Sequence, residues 1–213
     1  MNQTVEFTVE ATKPNIYAPS SYDPNPQPGI TKHTQLEDVL VKPYSQLRIK
    51  YGWTFNGESF CDGFGGYGNV EGWNIEGTQL VDPMSLIEGD LSPLSYLQAA
   101  ILYREIDEFG RFWHSTSWGV EEVLDLNLAQ ENGLVHNEEY ETDQENWSFK
   151  GKKPVKWNPT YKEKDGIVKI TYYSVNPVGQ ETLVHNCHTF EKGVYTQKLK
   201  TKEIAFGSKI MMF

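Results

Sequence analysis

The sequence predicts a mainly β, antiparallel protein, barrel-like (calycin-like) or a sandwich, with one or two short helices. Three observations carry this expectation. The last third breaks into apolar-rich segments punctuated by Asn176-Pro-Val-Gly179 and Glu191-Lys-Gly193. Leu47, Ile49, Tyr51, Trp53 and Phe55 occupy every second position, the period of a strand. Residues 51–77 hold eight glycines and seven aromatic rings. Glycine costs backbone entropy on folding, so such a cluster needs a compensating reason. Two reasons fit: tight turns between short strands, or a surface where a ligand approaches the backbone between flat rings.

From the N-terminus, Val5, Phe7 and Val9 alternate with polar neighbours and predict a first strand. Five prolines within residues 13–30 predict an extended arm or loop. Thr34-Gln-Leu-Glu37 has the form of a capping box and predicts a short helix to Val41, which Pro43 stops. The strand over 47–55 carries Arg48, Lys50, Gly52 and Thr54 on its second face, so one side is buried and one polar. Residues 56–69 read as turns, and 70–81 as another strand with Trp73 and Ile75 on one face.

Ser92-Pro93 supplies an N-cap followed by proline at the first helical position. The helix is expected to end near residue 99, because Gln98, Glu105 and Glu108 interrupt the stripe of Leu94, Ile101 and Phe109. A hairpin should follow, closed by Asp107-Glu-Phe-Gly110-Arg111 with Gly110 left-handed. Asp107 then faces Arg111, and Arg104 faces His114. Residues 130–150 are acidic and predict a solvated loop. Strands over 167–175, 182–190, 194–202 and 203–213 complete an antiparallel meander.

At 213 residues the chain suits one domain, 1–213, with a sizeable core. Charged residues make up 23%, a globular mixture, and no run approaches the roughly 18 apolar residues of a spanning helix. The first twelve residues have neither a cationic start nor an apolar stretch of the secretory kind. Cys61 and Cys187 are too few for a disulfide framework, so a reduced, cytoplasmic chain is expected. Net charge is −10, divided into −17 over residues 1–149 and +7 over 150–213. A chain this acidic repels phosphate despite the lysines at 150, 152, 153 and 156, so neither nucleic acid nor membrane is expected as a partner. A homodimer is compatible with this composition.

Several motifs fail on their surroundings. Gly63-Phe-Gly65-Gly-Tyr-Gly68 fits a phosphate-binding glycine loop, but no buried strand precedes it and no helix signal follows. His185-Asn-Cys187-His188 offers metal ligands, yet on a strand His185 and Cys187 share a face while His188 points away. Asp125-Leu-Asn127 begins like a calcium loop but lacks its later ligands. No Gly-x-Ser-x-Gly elbow is present. No metal and no cofactor is therefore expected.

The Arg104/His114 pair is the sharper candidate, because a long cation and a titratable ring on an apolar sheet face are costly to bury without a ligand. The expected function is a cofactor-independent small-molecule enzyme of the isomerase, lyase or cyclase type. Arg104 would polarise an apolar or aromatic substrate and His114 would move a proton, with Glu105 and Tyr103 nearby in the chain. Trp53, Phe55, Tyr67, Trp73, Trp113 and Trp118 would line the pocket. The rival is a non-catalytic binding module or carrier, for carbohydrate through exposed rings or for a lipophilic ligand held inside. Exposure of the rings discriminates between them.

Overall fold

A computed structural model describes residues 3–8, 28–62, 65–110, 112–113, 122–135, 147–176 and 179–211. They form a mainly β, antiparallel structure in two compact units. The first comprises Met1–Thr12, Val120–Thr189 and Lys198–Phe213; the second comprises Lys13–Gly119 and Phe190–Gln197. Among the described residues no helix is long and apolar enough to cross a membrane.

The first unit is built on one sheet that curls into a half-barrel. Its strands lie in the order β1 (Gln3–Glu6), β11 (Thr160–Lys164), β12 (Ile167–Asn176), β13 (Gly179–Glu191), β14 (Gln197–Met211) and β10 (Trp147–Phe149), with β9 (Glu122–Leu124) paired to β12. In β12, Val168, Ile170 and Tyr172 are buried while Ile167 and Lys169 are exposed, the alternation of a strand with one inward face. Leu124, Leu134, Trp157, Val175, Leu183 and Ala205 form a core cluster here. The strands expected at 194–202 and 203–213 are instead the single strand β14. No glycine or proline lies between Gln197 and Phe206, so nothing turns the chain. Asp125, at the start of the calcium-like motif, caps the helix α3 (Leu126–Glu131), its side chain accepting from Leu128 N at 3.0 Å.

In the second unit, β2 (Gly29–His33), β4 (Trp53–Cys61), β5 (Gly65–Asn74) and β6 (Leu80–Val81) lie side by side, with β8 (Phe112–Trp113) paired to the start of β5. A separate ribbon joins β3 (Leu47–Ile49) to β7 (Ile87–Gly89). The strand predicted over 47–55 is therefore two strands in two sheets. Gly52 sits at φ 83° and turns the chain, leaving Tyr51 99% exposed. The strand predicted over 70–81 breaks likewise, because Asn74 Oδ1 accepts from Thr78 N and Gln79 N at 2.8 and 2.9 Å and starts a turn. The expected capping box is not made: the helix α1 is Glu37–Leu40, entered from Leu36 without a side-chain cap.

Residues 56–69 are largely strand rather than turns. Gly57, Gly68 and Gly72 lie on the inner face of the β4–β5 ribbon. A Cβ on Gly57 would meet Asn69 O and Leu36, and one on Gly72 would meet Leu86 Cδ1. Close packing against this face is thus what these glycines permit, a reason neither turns nor a ligand supplied.

The largest departure is the helix α2 (Pro93–Asp107). Ser92 caps it as predicted, its Oγ accepting from Ser95 N at 3.2 Å. It does not end near 99, so no hairpin forms over 100–107. Residues 95–102 are all buried, and a helix enclosed on every side needs no polar stripe. Gln98, which breaks the apolar pattern, is satisfied by Gln46 N at 2.9 Å and Ser45 Oγ at 3.2 Å. Gly110 is left-handed as expected, at φ 70°, but just beyond this helix.

Candidate functional site

The register of the five-stranded sheet sorts its side chains into two faces. Phe60 lies directly opposite Tyr67 and also opposite Ile30, so three apolar side chains form one row across β2, β4 and β5. The next row is Lys32, Glu58 and Asn69; the next holds Asn56 and Glu71; the last joins Thr54, Trp73 and Leu80. All belong to the face away from Phe55 and Gly57. Ile30 is 69% exposed, Tyr67 65% and Phe60 38%. Phe60 and Tyr67 have ring centroids 5.5 Å apart, tilted by 39°. With Ile30, Glu58 and Asn69 they line a shallow depression of about 380 Å³.

The polar rows are fixed by their own contacts. Asn69 Oδ1 accepts from Glu58 N at 3.3 Å, and its Nδ2 donates to Glu71 Oε1 at 3.1 Å. Glu71 Oε2 accepts from Trp73 Nε1 at 3.2 Å, which fixes the indole. Glu58 faces Lys32 at 3.6 Å, with both side chains exposed. Thr54 donates to Glu37 at 2.8 Å. The face thus presents amide and carboxylate groups between a row of rings and a second ring. Comparison with protein-family models, with curated proteins and with solved structures finds no match to this chain, so function rests on geometry alone.

The residues predicted to share one pocket are divided by this sheet. Tyr67 stands exposed on the solvent face and Trp73 lies half-buried on that same face, whereas Phe55 is fully buried on the other, where Trp53 is also half-buried. Trp113 pairs through its backbone with Gly65, and Trp118 and His114 lie outside the described residues. Arg104, Glu105 and Tyr103 are on α2 rather than on a hairpin, so the expected Arg104/His114 cross-strand pair does not exist. Arg104 forms ion pairs with Asp107 at 3.5 Å and with Glu108 three and four residues ahead, the neighbours a helix provides. Phe60, Ile30, Glu58 and Asn69 were missed, since the alternation that places them appears only once residues 57–61 and 65–70 are taken as strands.

Glu105 is chemically distinct. Its Oε2 is removed from water, and burial pushes the carboxyl up to about 8. A hydrogen bond with Tyr44 opposes the shift and the nearby Glu108 charge adds to it. Three histidines lie elsewhere among the described residues. His33 is held low by burial; its Nε2 is 2.8 Å from Ser59 Oγ, and its ring meets Phe109 edge-on. His188 is fully buried against Tyr172, while His185 is half-buried beside Tyr173, so the alternation read from the sequence holds. Among the described residues no three His, Cys, Asp or Glu side chains come together as a metal site.

Proposed function

We propose that the chain is a non-catalytic binding module that takes carbohydrate on the solvent face of the five-stranded sheet. The observation that carries this reading is the exposed, cross-strand pair Phe60 and Tyr67 above a depression edged by Glu58 and Asn69. Large rings set side by side and left open to water point to a binding surface, because a cross-strand pair stabilises the ribbon only modestly and apolar area that stays exposed adds nothing to folding. A sugar ring offers an apolar face of C–H groups for a ring to stack on, with hydroxyls around its rim. Glu58 and Asn69 supply an acceptor and an amide for those hydroxyls. A carrier for lipophilic ligands would need its rings to line an enclosure, and these face outward.

The test is binding to a panel of soluble polysaccharides by affinity electrophoresis and calorimetry. Tyr67→Ala and Phe60→Ala should each weaken binding at least about tenfold, the loss of roughly one stacking contact. Circular dichroism should stay unchanged, since both side chains are exposed. Failure of the native chain to bind any polysaccharide in the panel rules the reading out.

A second reading is favoured by Glu105. A carboxyl pushed up to about 8 keeps its proton at neutral pH and can serve as a general acid, the chemistry expected of a small-molecule isomerase or lyase. NMR of the labelled side-chain carboxyl checks it directly. Titration in the ordinary range of Glu would remove the poised proton donor.

A further inference from the structure

The geometry points to an extended, uncharged glycan chain as the ligand, lying along β5 from Tyr67 to Trp73 rather than a single terminal sugar in the Phe60–Tyr67 depression. The inference rests on the carbohydrate reading and specifies its ligand. Tyr67, Asn69, Glu71 and Trp73 alternate along one strand and so share a face. Trp73 lies six residue steps along the strand from Tyr67, about 20 Å at roughly 3.4 Å per residue. That span exceeds a disaccharide and suits a chain several sugars long. Across it the order is ring, amide, carboxylate, ring, which alternates stacking with hydrogen bonding as a polysaccharide alternates apolar faces with hydroxyls.

Trp73 is held for such a role. Its Nε1 donates to Glu71 Oε2 at 3.2 Å, and Glu71 in turn accepts from Asn69 Nδ2 at 3.1 Å. One hydrogen-bonded line therefore joins the second ring to the polar row beside the first. The pre-set orientation lowers the ordering cost that a ligand would otherwise meet.

Charge selects the class of glycan. Among the described residues Glu58 and Glu71 stand on this face with Glu37 and Asp38 beside it, against Lys32, which faces Glu58 at 3.6 Å, and Lys42, which pairs with Asp38 and lies near Glu37, so carboxylates outnumber ammonium groups. A polymer of uronic acids or sulfated sugars would bring like charge onto these carboxylates, whereas a neutral glycan would not.

The experiment is calorimetry of the whole chain with size ladders of cellulose-, xylan- and mannan-derived oligosaccharides, from disaccharide to octasaccharide, and with polygalacturonate as the anionic probe. For one ladder, affinity should rise at least about tenfold with length before levelling, as a second contact is engaged. Trp73→Ala should remove that rise while leaving disaccharide binding intact, which also shows that the variant is folded. Trp73→Phe should recover part of it. Polygalacturonate should bind at least about tenfold more weakly than the best neutral octasaccharide.

Disaccharide binding as tight as octasaccharide binding, or a length dependence untouched by Trp73→Ala, overturns the extended site while the carbohydrate reading stands. Tighter binding of polygalacturonate overturns the uncharged class. Failure of every ladder and of polygalacturonate to bind overturns the carbohydrate reading itself.

Discussion

Glu105 is one residue whose surroundings set a measurable property of the whole chain. Its carboxyl titrates near the ordinary 4.5 when unfolded and is pushed up to about 8 when folded. Below 4.5 both states are protonated and the contribution to stability is complete. As pH rises toward 8 the unfolded chain releases this proton first, so stability falls by up to about 1.4 kcal/mol per pH unit. Glu105→Gln, which stays neutral, should equal the native chain in acid and exceed it increasingly up to pH ~8. Urea unfolding across that range checks the sign; parallel curves for the two proteins would refute it. The sequence named Glu105 as a candidate but for the wrong reason, as a neighbour of Arg104 on a hairpin. Its burial could not be read from a pattern in which it merely interrupts an apolar stripe.

The strands β4 and β5 show how an element acquires its glycines. Gly57, Gly68 and Gly72 bring the ribbon close to Leu36, Phe109 and Leu86, where a methyl group has no room. Gly57→Ala should therefore cost about 1–3 kcal/mol by overpacking, because its Cβ would run into the backbone oxygen of Asn69, although alanine suits an extended backbone. Gly151→Ala is the control, because open space surrounds that position, and it should stay within about 0.5 kcal/mol. Denaturant midpoints compare the two, and equal effects would sink the packing account. The same ribbon explains which part of the site was legible. Tyr67 and Trp73 were singled out as rings, but Phe60 was passed over because its segment read as turn. A glycine-rich strand and a glycine-rich turn have the same composition, and only the partner across the ribbon separates them.

At the scale of the molecule, the second unit draws on two distant stretches of chain. Residues 190–197 return to α2 after the long excursion through the first unit. There Tyr195 Oη donates to Ser95 Oγ at 2.8 Å and accepts from Leu91 N at 3.0 Å, while Gly193 N donates to Tyr96 Oη at 2.8 Å. Phe190 and Tyr195 pack on the Tyr96 ring with centroids 5.2 and 5.1 Å away. Tyr195→Phe keeps the ring and deletes both hydrogen bonds, which should cost about 1–3 kcal/mol because the groups left behind are shielded from water. Thermal unfolding measures this, and a change within error would show that the returning segment contributes packing alone. No local signal announces such a contact, since its partners are about a hundred positions apart.

What the chain determines by itself is local: the antiparallel β class, the N-cap at Ser92, the left-handed Gly110 and the opposite facing of His185 and His188. Each follows from steric and hydrogen-bonding rules that act over a few residues. Tertiary structure decided where α2 ends, why the glycines cluster and which rings meet water. Those outcomes depend on what packs against each face, and alternation along a strand says that its faces differ without saying which one the rest of the protein covers.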